Sequence, residues 1–191
     1  MTNRPDLFAN VHKGIRHALF ETCIALGKVA DDTVPAALRT QLHSVLHFVR
    51  HHGENEDVLL LPMLSTTVPA VEARMREAHA EIEAALLTLE GRVDHGGAAE
   101  LYNRSCELTA RYLEHMREEE LELEPQIRAA LTAEQLQDFS RGSVARTPAG
   151  DARMMLAWML PAMPPPDASE LIARLPADLQ RELRAMIGPL A

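Results

Sequence analysis

The sequence contains few cysteines, few aromatic residues and few positive charges, and these shortages exclude whole classes of function. Its two cysteines, Cys23 and Cys106, lie far apart and not at a metal or redox spacing, so we interpret both as free thiols. Asp and Glu number 28 against 19 Lys and Arg. The resulting formal charge of −9 argues against nucleic acid or an anionic membrane as the main partner.

Long apolar runs are also missing. The amino terminus passes directly into an amphipathic pattern without the apolar core of a signal peptide. No later run reaches the roughly 20 residues of a membrane-spanning helix. We therefore expect a cytoplasmic protein with no membrane partner.

The residues that are abundant favour helices. The chain has 191 residues, is 47% hydrophobic but only 4% aromatic, and is rich in Ala, Leu, Glu and Arg. Apolar residues recur at three- and four-residue intervals in four long segments with short connections. These segments are Leu7 to about Gly27, Pro35 to about Leu64, Pro69 to about Gly91, and about Ala98 to Ala130. The pattern predicts an all-α, up-down-up-down four-helix bundle.

The remaining sequence predicts a short fifth helix and a C-terminal appendage. Thr132 to Gln135 matches a capping box and starts a helix to Arg141, which Gly142 is expected to end. We therefore divide the chain into a bundle of residues 1–142 and a linker with a helical appendage of residues 143–191. The linker covers residues 143–150, and two short helices are predicted at Ser169 to Leu175 and Ala177 to Ile187.

The appendage carries an apolar cluster between Met154 and Leu160 that is too small to form a core alone. We expect it to pack on the open end of the bundle or on a second copy of the protein. We favour a homodimer through residues 150–191, because flexible methionines suit a subunit contact.

One motif occurs twice in the bundle. A histidine is followed four residues later by a glutamate and ten residues later by a proline, and each member is 63 residues from its counterpart. The two copies are His52, Glu56, Pro62 and His115, Glu119, Pro125. Residues four apart lie on one face of a helix, so each pair can reach the same point.

The other two long helices each add a histidine to this inner face. His12 lies within the apolar stripe of the first helix, and His79 lies at the edge of the third. A lone inward histidine is usually a satisfied core residue, but four with two carboxylates would leave many polar groups unsatisfied. A metal ion resolves this, and imidazole with carboxylate suits iron, manganese or zinc rather than calcium or magnesium. The predicted metal ligands are His12, His52, Glu56, His79, His115 and Glu119.

A second set of histidines, His43, His47 and His51, forms a ladder on a different face of the second helix. Such a ladder can bind a metal. On an outer face it is more often exposed or in contact with another subunit.

The repeated His-x-x-x-Glu elements, each followed by a Leu-rich segment ending in proline, resemble the hemerythrin-like, His-His-Glu cation-binding family. The resemblance covers roughly residues 7 to 130. It implies a four-helix bundle with a non-haem di-iron centre, holding two iron ions per chain with an oxo or hydroxo bridge. It also implies O₂, nitric oxide or peroxide as the small ligand.

The chain differs from the oxygen-carrying hemerythrins at two positions. It has Glu83 where they have a second histidine one turn after the third-helix ligand, and Glu120 where they have an aspartate five residues after the last histidine. It is closer to the four-His, two-Glu centres of iron–sulfur cluster repair proteins and of iron-sensing domains in ubiquitin ligases. Tyr112, one turn before His115, is either a hydrogen-bond donor to an oxygen at the site or a core aromatic.

We rank three functions for such a protein. The first is a binding or sensing protein for O₂, nitric oxide or oxidants. The second is a di-iron enzyme that reduces peroxide or nitric oxide or donates iron for iron–sulfur cluster repair. The third is an iron-buffering or structural bundle. The sequence offers no general acid or base directed at a substrate carbon and no cofactor-binding loop, so any enzymatic activity would be that of the metal.

Overall fold

The structure is a computed structural model that describes residues 7–187, with side chains to Leu183; residues 1–6 and 188–191 of the predicted units lie outside it. The described chain is helical throughout. Its α-helices are α1 (Ala9–Gly27), α2 (Ala36–Asn55), α3 (Leu61–Thr67), α4 (Pro69–Glu90), α5 (Ala98–Glu118), α6 (Glu124–Ala130), α7 (Ala133–Arg146), α8 (Ala149–Met159), α9 (Pro165–Ala173) and α10 (Ala177–Ile187). None of them is long and apolar enough to cross a membrane.

The predicted four-helix bundle is confirmed. Helix α1 packs against α2 and α5, and α4 closes the square by packing against the same two helices. The start of α1 lies beside the end of α5, where His12 contacts Glu120. The end of α1 lies beside the start of α5, where Gly27 is next to Tyr102. The two helices therefore run antiparallel. Buried Leu, Val, Ile and Phe side chains fill the space between the four helices.

Two wide turns interrupt the second and fourth long helices at the repeated motif. Helix α2 continues through a π-helical turn, Glu56–Leu60, into α3, and α5 continues through Glu119–Leu123 into α6. The Leu61 and Glu124 amides donate to the carbonyls of Glu56 and Glu119. Pro62 and Pro125 follow one residue later and have no amide N–H to continue the α-helical ladder. The helix continues past each proline as α3 or α6, so neither proline ends it.

Helix α7 begins as predicted and ends later than predicted. The Thr132 hydroxyl accepts from the Gln135 amide at 3.2 Å, and the Gln135 side chain accepts from the Thr132 amide, which completes the capping box. The helix continues through Gly142, where an added Cβ would lie 3.1 Å from a Leu59 methyl group. Gly142 thus provides room for packing and does not end the helix. Only Thr147 and Pro148 separate α7 from α8, so most of the predicted linker is helical.

The appendage docks on the bundle of its own chain. The partly buried side chains of α8, including Met155 and Trp158, pack against the bundle core. Helix α8 ends so close to α1 that a Cβ on Gly14 would lie 2.9 Å from the Met159 Cα. The Trp158 carbonyl oxygen lies 3.0 Å from the His17 Nδ1, and His17 is half-buried beneath the appendage. A second small core joins α8, α9 and α10.

Candidate metal centre

All six predicted ligands converge where the two π-helical turns begin. His12 comes from α1, His52 from the last turn of α2, His79 from α4 and His115 from the last turn of α5. Glu56 and Glu119 are the first residues of the two π turns. Both glutamates and His12 have no solvent exposure, and the others are largely buried, with His79 nearest the surface.

The six side chains form two overlapping groups whose ligand atoms lie within 4.8 Å of one another. One group adds His12 and His52 to the two glutamates, and the other adds His79 and His115 to the same glutamates. The Glu56 oxygens lie 3.4 Å from His52 Nε2 and 3.3 Å from His79 Nε2, so its carboxylate faces both groups. Each group offers two imidazoles and two shared carboxylates.

Five buried polar atoms of the centre have no hydrogen-bond partner in the part of the chain that the structure describes. Neither oxygen of Glu56 or Glu119, nor the Nε2 of His79, has a hydrogen-bond partner among the described residues. Burying a carboxylate that accepts no hydrogen bond costs several kcal/mol. Native proteins therefore rarely contain such a group. Two cations between these side chains would satisfy all of these atoms, so the residues fit a dinuclear metal centre.

Acidic residues outside the centre orient two of the histidines. The Nδ1 of His12 lies 2.8 Å from a Glu120 oxygen, and Arg16 donates two hydrogen bonds to the same carboxylate. The Nδ1 of His79 lies 2.7 Å from Asp57. Such contacts fix the orientation of a metal-binding histidine and increase its basicity, and here they would hold each Nε2 toward a bound cation.

Sequence reasoning missed these supporting contacts, although the signal was present. Asp57 and Glu120 each follow a ligand glutamate and are themselves 63 residues apart. The repeat therefore includes the acidic residue that supports a histidine of the neighbouring helix.

Burial and ion pairing give the ionisable groups very different pKa values. Burial lowers the pKa of His52 to about 4 and of His115 to about 3, so both rings are neutral, as metal binding requires. Burial also acts to lower the pKa of His79, but the hydrogen bond to Asp57 and the negative charge of Glu56 outweigh it and raise the value to about 9.

The two glutamates differ as well. Burial opposes ionisation of Glu56, yet the histidines around it lower its pKa to about 2. Burial, together with the charge of Glu56, raises the pKa of Glu119 well above its usual range. Without a cation between them, Glu56 and Glu119 together carry one negative charge more readily than two. Metal ions between the carboxylates would favour both charges.

Two aromatic side chains enclose the centre. Phe8 stacks on the His12 ring at a centroid distance of 5.3 Å, and Tyr112 meets the His115 ring edge-on at 5.7 Å. Burial raises the pKa of Tyr112 well above its usual value, so its hydroxyl stays protonated. Both side chains exclude water from the rings that they cover.

Other candidate residues lie away from the centre. His43 and His47 are exposed and pair with Asp94 and Asp151. His51 is buried, and its Nε2 contacts Asn55 and the Thr147 hydroxyl. The ladder therefore contacts the α7–α8 connection and is not part of the metal cluster.

Glu83, one turn after His79, is turned toward Arg50 at 3.5 Å. Cys23 lies 3.4 Å from the Thr109 hydroxyl and in hydrogen-bonding contact with Cys106, and both thiols are free.

Comparison with protein families agrees with this geometry. The chain matches the Hemerythrin HHE cation binding domain over residues 4–127, a range that contains all six converging side chains. Comparisons with curated proteins and with solved structures returned no match. The match spans more than half of the sequence and ends before α7 begins. The chain therefore belongs to the hemerythrin HHE cation-binding domain family.

Proposed function

We propose that the protein holds two iron ions at this centre and uses them to bind or sense O₂, nitric oxide or an oxidant. The ligands are His12 and His52 for one ion and His79 and His115 for the other, with Glu56 and Glu119 shared. The main support is the set of buried carboxylate oxygens without a partner among the described residues.

Iron suits the donor set better than other cations. Mixed imidazole and carboxylate ligands are typical of non-haem iron, whereas calcium and magnesium favour oxygen ligands and structural zinc favours thiolates. Each ion would receive four donors from the protein, which leaves about two of six octahedral positions for other ligands. Iron with free positions supplies reversible ligand binding or electron transfer to a small oxidant.

The chain's own residues set the conditions for that chemistry. Glu120 and Asp57 hold the rings of His12 and His79 in place from outside. Phe8 and Tyr112 keep water from the imidazoles. None of the six converging groups is free to act on an organic substrate while it holds metal, so we favour binding or sensing over catalysis by side chains.

Metal analysis tests the proposal directly. Protein purified aerobically, and protein reconstituted anaerobically with ferrous iron, should each contain two iron ions per chain. The ferrous form should change its optical spectrum on exposure to O₂, peroxide or nitric oxide. One metal per chain contradicts the dinuclear centre, and a spectrum unchanged by all three ligands favours iron buffering.

The oligomeric state and the location stay predictions. The apolar cluster that favoured a homodimer packs on the same chain, which accounts for its burial without a second copy. Light scattering of the full-length protein, and of a form truncated after Gly150, tests the dimer. A full-length monomer contradicts the predicted role of residues 150–191. Cell fractionation tests the cytoplasmic location.

A further inference from the structure

A cleft beside the metal centre is built largely by the part of the chain that follows the family match. It has a volume of about 310 Å³ and lies between the start of α1, the end of α2, and helices α7, α8 and α9. His52 and Asn55 line it from the bundle, and Phe139, Met155 and Leu171 line it from the opposite side. The cleft is therefore a feature of this chain and is not explained by the family fold alone.

The lining of this cleft is uncharged. Among the described residues that form it, every side chain is apolar or neutral and polar, including Ser140, Ser143 and Thr147. Four other clefts of the molecule are each lined by several charged side chains. The lining residues are thus uncharged in a chain with 25% charged residues, and one charged side chain, Arg146, contacts the lining from outside by donating a hydrogen bond to Asn55 Oδ1.

The chemistry and size of the cleft define its ligand. A charged molecule would lose its hydration without gaining a counter-charge, which is strongly unfavourable. Small-molecule sites are typically mainly apolar, with a few polar groups that orient the ligand. An apolar cavity of about 150 Å³ accommodates benzene, so about twice that volume accommodates two fused rings.

We propose that this cleft binds a neutral, mainly apolar organic molecule of about two fused rings, beside His52. The Ser143 hydroxyl already donates to the Phe139 carbonyl, and its lone pairs can accept one hydrogen bond from the ligand. The inference deepens the proposed function, because a ligand here would lie against a predicted metal ligand, but its binding does not require the metal.

Calorimetric titration of the full-length, metal-loaded protein with indole tests the proposal. Indole is neutral, bicyclic and carries one N–H donor. It should bind saturably at one site per chain. The charged analogues indole-3-acetate and tryptamine should bind at least tenfold more weakly. Absence of saturable indole binding, or equal binding of the charged analogues, overturns the proposal.

Variants that fill the cleft from two different helices locate the binding. Ser143→Phe on α7 and Leu171→Trp on α9 should each weaken indole binding at least tenfold. Leu87→Phe, on the exposed face of α4, should leave it unchanged. Thermal unfolding identifies any variant that fails to fold. If Ser143→Phe or Leu171→Trp does not fold, the remaining folded variant is used to test the site. Indole binding that survives in a folded filled variant places the site elsewhere and overturns the proposal.

Repeating the titration after chelation separates this inference from the metal proposal. Indole binding by protein that never takes up metal would support the cleft and contradict the di-iron centre. A protein that contains two iron ions per chain but does not bind indole would support the di-iron centre and contradict ligand binding in the cleft.

Discussion

The two halves of the metal centre come from one repeated motif, yet the protein surrounds them differently. On one side the His12 ring is fully buried, and its neighbour Glu120 is held by two hydrogen bonds from Arg16. The His79 side lies nearer the surface, and its supporting Asp57 has a side chain 43% exposed and lines a cleft of about 150 Å³. The repeat thus supplies one histidine and one glutamate to each half of the candidate centre, while the neighbouring helices determine how exposed each half is.

This difference assigns distinct roles to the two positions. His12 is covered by Phe8 and has no solvent exposure, which would favour tight retention of a metal ion bound there, whereas His52 borders the uncharged cleft of about 310 Å³. The position at His79 and His115 is reached through the smaller cleft, where Arg50 and Glu83 form part of the rim. We expect small polar ligands to enter from this second side.

The largest expected effect comes from the residues that the two halves share. Glu56→Gln or Glu119→Gln should reduce metal content from two ions per chain to fewer than one, because both groups use each carboxylate. Elemental analysis after anaerobic reconstitution measures this. His43→Ala and His47→Ala, on the outer ladder, should keep two ions, and loss of metal in either would show that the wrong face of α2 was chosen.

Removal of the metal should be the next largest effect. Each ion present at 1,000 times its dissociation constant adds about 4 kcal/mol to the free energy of unfolding. Chelation should therefore lower the denaturation midpoint strongly, and the shift should be much smaller in Glu119→Gln, which is expected to hold fewer than one ion per chain. Urea titrations of both proteins with and without chelator make the comparison. An unchanged midpoint in the unmodified protein would favour a structural bundle.

The supporting carboxylates should distinguish the two halves. Contacts of this kind typically contribute 10- to 100-fold in metal affinity. Glu120→Gln should reduce metal affinity by roughly 100-fold, because the substitution also leaves Arg16 without its bidentate partner. Asp57→Asn should lie near the lower value, because Asp57 is more exposed and its hydrogen bond competes with water. Competition with a metal chelator measures both, and equal losses would contradict the inequality of the two positions.

Much of this arrangement could be predicted from sequence, because helical periodicity and the 63-residue repeat are local patterns. They identified the four long helices, the inward direction of His52 and Glu56, and the convergence of six polar side chains. The contacts of His51 with Thr147, and of His17 with the Trp158 carbonyl, could not be predicted in this way. Both depend on where the appendage docks, and that position follows from packing between segments far apart in the chain.

Gly142 illustrates the same limit. As a residue type it indicates the end of a helix, but here the neighbouring Leu59 occupies the space that a side chain would need. Only the tertiary contact distinguishes the two roles of a glycine.

The smallest effects concern two other glycines, which differ only in their surroundings. Replacing a glycine inside a helix by alanine normally stabilises a protein by about 0.5–1 kcal/mol. Gly53→Ala should do so, because nothing lies within 4 Å of the added Cβ. Gly14→Ala should instead destabilise by about 1–3 kcal/mol, because its Cβ would lie 2.5 Å from Met159 Cγ and α8 would have to move. Urea unfolding of the metal-free variants isolates the packing effect from metal affinity. A Gly14→Ala variant as stable as Gly53→Ala would show that the appendage does not rest on α1, and would remove one wall of the cleft beside His52.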